Sequence, residues 1–190
     1  MVEGRPSAWV LDGLRGVPDG SHVLDFACGS GRHSIAALQR GLTVTAVDRD
    51  AAALSVLARQ AEALGGTARS SLVLLQADLE ADPWPLEPAG FDAVVVCNYL
   101  FRPRLPALAG LLRPGGLMIY ETFAQGNERY GRPSNPDYLL ASGELFAWAQ
   151  ATGLHVIAYQ DGVVTAGRRA RIQRLRAVRQ TADLEAFALE

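Results

Sequence analysis

The sequence predicts an α/β protein: a doubly wound, mostly parallel seven-stranded sheet with helices on both faces and an antiparallel strand pair at its C-terminal end. Three observations carry that prediction. Short β-branched and aliphatic runs alternate with helical stretches from about residue 21 to residue 123. Those runs lack the polar alternation of a half-solvated strand, so they read as strands buried on both faces. The rhythm changes near residue 142, where a helix leads into two strands joined by too little chain for a crossover.

Taken in order, residues 6–15 add a short helix ahead of the sheet, and SHVLDFA (21–27) is the first strand. A helix over 31–40 follows, with Gly41 as its stop. LTVTAVD (42–48) is the second strand. Asp50 is the natural N-cap of the next helix, in which Leu54, Leu57, Ala61 and Leu64 share a face before Gly65-Gly66 ends it. SLVLLQAD (71–78), FDAVVVCN (91–98) and GLMIYETF (116–123) are the third, fourth and fifth strands. A helix over 105–112, closed by Arg113-Pro114-Gly115-Gly116, separates the last two. Ser142 is the expected cap of a helix over 142–152, which precedes LHVIAYQ, a turn at Asp161-Gly162 and an Arg-rich final strand. The stretch 123–141 holds Gly, Pro and Asn in quantity and reads as a long loop. Ordered loops of that length are usually functional, and this one leaves the end of a strand where open α/β sheets bind ligands.

Composition sets the bounds. The 190 residues suit one domain, 1–190, and 49% hydrophobic content suffices for a sizeable core. No apolar run reaches the length of a membrane span, and MVEGRPSAWV lacks the order of a signal peptide, so a soluble cytoplasmic protein is expected. Cys28 and Cys97 lack metal or CxxC spacing and read as reduced, mostly buried thiols. His33 and His155 have no metal-spaced partners, so no metal is expected. The net charge of −2 gives no general footprint for nucleic acid. All 18 basic residues are arginine, clustered only in RRARIQRLRAVR (168–179). Ile172, Leu175 and Val178 interrupt that run without interleaved aromatics, which favours a strand with a solvated face over a nucleic-acid groove.

The chemistry centres on VLDFACGSGRHS (23–34). A glycine turn between strand and helix brings backbone close to a ligand, yet Asp25 places a carboxylate beside it. A P-loop is excluded, since the chain contains no lysine. A dinucleotide site would put Ser34 in its third glycine position and Asp25 against a pyrophosphate. A ligand with an adenosine and an amino-acid ammonium removes the conflict. Gly29 and Gly31 admit its backbone approach, Asp25 serves the ammonium directly or through water, and the carboxylate meets Arg32 or helix N-terminal amides. Asp48, ending the second strand, accepts from a ribose diol, and Asp78, ending the third, from an adenine amino group. That ligand is S-adenosylmethionine. Ala27, Arg49, Leu79 and Cys97 complete the expected cofactor-lining set.

From 21 to 123 the chain resembles the class I S-adenosylmethionine-dependent methyltransferases, a Rossmann-like superfamily. VLDFACGSG, TAVDRD, LQADLE, FDAVVVCN and LLRPGGLMIYE are similar to its five motifs, in order. Ala27 stands where the family usually has a first glycine, a change expected to cost little. GSGRHS and VTAVD are similar to methyltransferases linked to tellurite resistance. The resemblance implies methyl transfer from S-adenosylmethionine to a small molecule, metalloid and thiol acceptors included. An RNA or protein methyltransferase, or a non-catalytic cofactor-binding module, is the alternative. In-line displacement from a sulfonium depends chiefly on alignment, so no dedicated base is required. Asn98, Tyr99 and Glu121 at strand ends, with Arg129 and Tyr130 in a lid formed by 123–141, are the candidate catalytic residues. Asn127 and Arg132 add polar groups to that loop, Arg102 and Arg104 suit solvent or an anion equally, and Trp9 reads as core.

Overall fold

A computed structural model describes residues 4–165, 167 and 169–180. Its elements are α1 (Ala8–Arg15), β1 (His22–Phe26), α2 (Arg32–Gln39), β2 (Thr43–Asp48), α3 (Ala51–Leu64), β3 (Leu72–Gln76) and β4 (Phe91–Cys97). They continue with α4 (Leu105–Leu108), β5 (Leu112–Phe123), α5 (Glu144–Ala151), β6 (Leu154–Val164) and β7 (Ala170–Arg179). The seven strands form one sheet in the order β3-β2-β1-β4-β5-β7-β6. β1 to β5 are parallel, and β7 runs antiparallel to both β5 and β6. The predicted architecture is present, and α5 explains its last step. That helix carries β6 one place beyond β5, and β7 returns through the gap.

Alternation along the strands divides the core. Leu24 and Phe26 of β1 pack with Val94, Val96, Met118 and Tyr120 against α4 and α5. Val23, Val44, Ala46 and Val95 face the other way, against α1, α2 and α3. Helix ends follow local chemistry. Ser7 caps α1 by accepting from Trp9 N, and Asp50 caps α3 by accepting from Ala52 N and Ala53 N.

Three boundaries differ from expectation. The helix predicted over 105–112 is α-helical only at Leu105–Leu108, between 3₁₀ turns at Arg102–Arg104 and Ala109–Leu111. Two prolines near its start and Gly110 limit its length. β5 accordingly begins at Leu112, with Leu112 opposite Phe91 and an irregularity before Leu117 pairs with Ala93. Gly116 is required there, because a Cβ would lie 2.9 Å from Arg113 O and 3.1 Å from Asp92 O. The cap of α5 is Gly143, not Ser142. Ser142 Oγ instead donates to Asp161 Oδ2 at 3.3 Å, and Glu144 Oε2 accepts from Ala141 N at 2.7 Å.

The loop 123–141 carries more internal order than its composition suggests. It contains 3₁₀ turns at Asn127–Arg129 and Pro136–Tyr138 and a bridge between Ala124 and Leu140. Asn127 is almost wholly buried; its Nδ2 donates to Pro133 O, and its Oδ1 accepts from Arg171 N. Arg102 secures the far end through both carboxylate oxygens of Glu144 and the carbonyls of Asp137 and Leu139. That settles Arg102 as a structural clamp.

Candidate functional site

In the strand order, β1 and β4 are neighbours whose following connections leave on opposite faces of the sheet. Open α/β sheets have their crevice at such a switch point, beyond the C-terminal ends of the strands. The backbone is tightest at this place. Ala27, just after β1, has φ +55°, and Asn98, just after β4, has φ +58°. Asparagine tolerates that left-handed region, but alanine adopts it at a cost of about 1–2 kcal/mol. The expectation that alanine costs little at position 27 therefore needs correction. Ala27→Gly should raise the melting temperature, because relief of the strained φ outweighs the roughly 0.5–1 kcal/mol of added unfolded-state entropy. Thermal melts of the two proteins decide it, and a lower value for the variant would contradict the argument.

Two cavities meet at the switch point and share Asn98 and Phe123 in their linings. The first, of about 420 Å³, is lined by the ends of β1 to β5, including Ala27, Asp48, Arg49, Asp78, Leu79 and Tyr99. The second, of about 730 Å³, lies between Arg5–Ala8, Arg32, Glu121, the turn joining β6 to β7, and Ile172 and Arg174.

Each expected cofactor residue has a definite place. Asp48 Oδ2 accepts from Gly29 N at 2.7 Å, and Oδ1 accepts from Asp50 N at 2.9 Å. The carboxylate thus ties the glycine turn to the end of β2 while lining the first cavity. Asp78 Oδ1 accepts from Glu80 N at 2.9 Å on the opposite side of that cavity. Gly29 has φ +55°, and a Cβ there would meet no atom within 4 Å. Its side is open, as a backbone approached by a ligand must be. Gly31 is different: a Cβ would lie 2.4 Å from Leu57 Cδ1, so packing against α3 requires this glycine.

Asp25 lines neither cavity, contrary to a direct role at the ammonium. It is 2% exposed, and its Oδ2 accepts from Ser34 N at 2.9 Å and Ser34 Oγ at 2.6 Å. The cap of α2, Gly31, has no side chain to satisfy the first-turn amides. Asp25 supplies the missing carboxylate from the neighbouring strand, at the positive end of the helix dipole. Burial pushes its carboxyl up to about 6, against the lowering effect of the Ser34 bonds and of Arg32. A carboxyl raised in the folded state binds more protons folded than unfolded across the window from about 4 to about 6. Its contribution to stability is complete below that window and is lost as pH rises through it. Wild-type stability relative to Asp25→Asn should therefore fall by about 2 kcal/mol between pH 4 and 7. Denaturant titrations across that range check it; a flat difference would place the carboxyl near its ordinary value.

The RHS triplet, residues 32–34, is wholly engaged. Arg32 Nη2 donates to Cys97 Sγ at 3.2 Å and Nη1 to Arg5 O at 3.1 Å. His33 is buried, and its Nε2 accepts from Ser7 N at 3.1 Å, as a neutral ring can. Burial first, and Arg32 second, hold that imidazole far down, at about 3. Cys97 lines neither cavity, and burial pushes its thiol up to about 12. It is not a nucleophile near neutral pH.

Of the expected catalytic residues, three reach the cavities. Asn98 lines both, Tyr99 the first and Glu121 the second. Tyr99 Oη meets Glu80 Oε1 at 3.4 Å, its ring sits edge-on to Phe26, and burial pushes the phenol up. Glu121 Oε2 lies 3.6 Å from Arg174. Arg129 and Tyr130 line neither cavity: Arg129 is exposed, and the Tyr130 ring faces Arg169. The buried side chain of Asn127 fixes the turn that carries them, and the loop contributes Pro133 and Tyr138 instead. Sequence reasoning missed these two, as well as Thr122, Phe123, the residues 5–8 and the hairpin wall formed by 160–165 and Gly167. The turn expected at Asp161-Gly162 is not there: both residues pair with β7 inside β6, which runs on to Val164. The pairing of β7 with β5 was not legible either.

The arginines of β7 form no open basic face. Arg171 pairs with Asp161, Arg174 with Gln160 and Glu121, Arg176 with Asp12, and Arg179 with the carbonyls of Gly110 and Leu112. Trp9 is core, as expected, with the guanidinium groups of Arg174 and Arg176 over its ring at 4.8 and 4.1 Å. Among the described residues no helix is long and apolar enough to cross a membrane.

A glycine turn and two strand-end carboxylates around the crevice of a doubly wound sheet define a nucleoside-binding α/β domain. The methyltransferase-domain family matches residues 23–116. Ribosomal protein L11 methyltransferase of Xylella fastidiosa is 35% identical over 116 residues, 60% of this chain and 36% of that protein. Glycine N-methyltransferase of Rattus norvegicus is 31% identical over 152 residues, 72% of this chain and 47% of that protein. The chain thus spans between about a third and a half of the length of these curated relatives. The structure of TehB from Haemophilus influenzae superposes with a TM-score of 0.75 at 17% identity, covering 93% of this chain and 63% of that one. The chain belongs to the class I S-adenosylmethionine-dependent methyltransferase superfamily.

Proposed function

We propose that the protein transfers the methyl group of S-adenosylmethionine to a small-molecule acceptor. The observation that carries this reading is the adjacency of the two cavities, whose linings share Asn98 and Phe123. One compartment offers nucleoside-binding acids, and the other opens beside it. The first fits the cofactor: Asp48 and Asp78 carry lone pairs for a ribose diol and an adenine amino group. Gly29 is outside the linings of both cavities, but it is bonded to Asp48 and its side of the turn is open. Arg32 is the cation for the carboxylate, and Asp25 acts from beneath the turn through its charge and through α2. When bound, the cofactor supplies a sulfonium methyl, which goes to an acceptor lone pair while the S–CH₃ electron pair stays on sulfur. Asn98 stands at the junction and orients the acceptor. Glu121 is the nearby carboxylate for a proton that the acceptor releases.

A small acceptor is favoured over a polyanion because the β7 arginines are occupied within the fold. The test is release of S-adenosylhomocysteine with separate metabolite, thiol, metalloid, RNA and protein pools. Turnover is expected in a small-molecule pool, and turnover with RNA or protein alone would overturn the reading. With the acceptor in hand, Asn98→Ala should lower turnover by about tenfold or more through lost alignment. Arg129→Ala with Tyr130→Ala should leave it within about twofold, since neither side chain reaches a cavity.

A further inference from the structure

The second cavity has an unequal charge balance. Its acidic members are neutralised within the fold: Asp161 pairs with Arg171, and Glu121 lies 3.6 Å from Arg174. Two arginines of the same lining, Arg5 and Arg32, form no ion pair among the described residues. Among the described residues Arg32 is bonded to a thiol and a carbonyl, neither of which cancels its charge. That carbonyl belongs to Arg5, so the same guanidinium holds Arg5 at the rim. Ser7 N, bonded to His33 Nε2, gives the segment a second anchor.

Part of the lining is apolar. Phe123 and Ile172 are buried members of one small cluster, and Val164 and Ala170 pack against it at the cavity surface. Asn98, shared by the two linings, marks where the methyl would arrive. A cationic acceptor would find its carboxylates already paired and would face Arg5 and Arg32. A fully hydrophilic acceptor would leave the Phe123–Ile172 wall in water.

We propose that the second cavity is the acceptor site and that it takes a small amphiphilic anion, with its apolar body on Phe123, Val164 and Ile172 and its anionic group at Arg5. The proposal rests on the methyltransferase reading, which commits Arg32 to the cofactor's carboxylate and leaves Arg5 for the acceptor. Carboxylate and phosphate heads share the required chemistry, since a guanidinium binds either through two parallel hydrogen bonds. Arg5 is the specificity-determining residue in this arrangement. An exposed guanidinium contributes modestly in free energy, so the expected discrimination is about tenfold rather than absolute.

The test uses the full chain saturated with S-adenosylhomocysteine, titrated by NMR with 4-phenylbutyrate, 4-phenylbutylamine, 4-phenylbutanol and 4-phenylbutyl phosphate. These four probes share one apolar body and differ in the head. The carboxylate and the phosphate should bind about tenfold tighter than the alcohol and the amine. Whichever of the two anions binds tighter identifies the natural head. Arg5→Gln should reduce the anion's advantage to about threefold or less while S-adenosylhomocysteine affinity is unchanged. Val164→Glu, which places a charge on the apolar wall, should abolish binding of both anions. Equal affinity for all four heads, preference for the amine, or an Arg5→Gln variant with undiminished preference would each overturn the proposal. Failure of every probe while S-adenosylhomocysteine binds overturns the acceptor class but leaves the cofactor reading intact. Failure to bind S-adenosylhomocysteine removes that reading, and the proposal falls with it.

Discussion

Replacing Gly31 by alanine is expected to destabilise the protein by about 2–4 kcal/mol, the largest stability effect of any single methyl in the site. Two costs add. Gly31 holds φ +77°, where an L side chain costs about 1–2 kcal/mol. The new Cβ would also lie 2.4, 2.6 and 2.7 Å from the Cδ1, Cδ2 and Cγ of Leu57. Leu57 is fully buried in the core beneath α3, so any shift of its side chain disturbs that packing. Overpacking of this kind typically costs about 1–3 kcal/mol. For a domain of this size the melting temperature should drop by roughly 5–15 °C. Gly29→Ala separates the two costs, since it has the same left-handed backbone but meets no atom within 4 Å. It should lose only the conformational part of the stability, yet weaken cofactor binding by placing a methyl on the open side of the turn. Calorimetric melts of both variants check the pair. Equal destabilisation would mean that contact with Leu57 contributes nothing.

Asp48→Ala should weaken S-adenosylhomocysteine binding by about 100-fold, close to 3 kcal/mol. The side chain serves the site twice. It lines the nucleoside compartment with free lone pairs, and it holds the glycine turn through Gly29 N at 2.7 Å and the start of α3 through Asp50 N at 2.9 Å. Hydrogen bonds to a charged acceptor are worth about 1.5–3 kcal/mol each, and an amide left without its acceptor adds to the loss. Asp48→Asn retains a single acceptor oxygen and should show an intermediate loss of about tenfold. Titration calorimetry on the three proteins provides the measurement. An alanine variant with wild-type affinity would remove Asp48 from the binding site.

The nucleoside side of the site was legible in the sequence because its signals are local. Gly29 sits in a strand–turn–helix unit, and Asp48 and Asp78 each end a strand recognised from its own composition. Spacing alone then places all three at one end of a parallel sheet. The finer roles of neighbouring residues were not readable, because they depend on contacts between elements. Asp25 caps α2 from the strand beside it, and Gly31 is fixed by a leucine from the following helix. The acceptor side was the least legible. Its walls come from residues 5–8, from β5 and from the β6–β7 hairpin, and the first of these lies more than a hundred residues from the other two. The loop 123–141 misled for a related reason. Its composition predicted a lid, whereas one buried asparagine and the Arg102–Glu144 pair hold it in a defined form that turns Arg129 and Tyr130 away.

The Arg-rich run shows how far composition can be carried. Reading it as a strand was sound, but the expectation of a solvated face was incomplete. Asp12, Gln160, Asp161 and Glu121 from three other segments meet its guanidinium groups. No periodicity in the run itself predicts such partners.

The central claim is that the crevice at the β1–β4 switch point binds the adenosine and amino-acid parts of S-adenosylmethionine, not a dinucleotide. Titration calorimetry of the purified protein with S-adenosylhomocysteine and with NAD tests it most directly. The account predicts micromolar binding of S-adenosylhomocysteine, on the order of −8 kcal/mol, and at least about a hundredfold weaker binding of NAD. Tighter binding of NAD would contradict it, because Asp25 and Asp48 beside the glycine turn would then be tolerating a pyrophosphate.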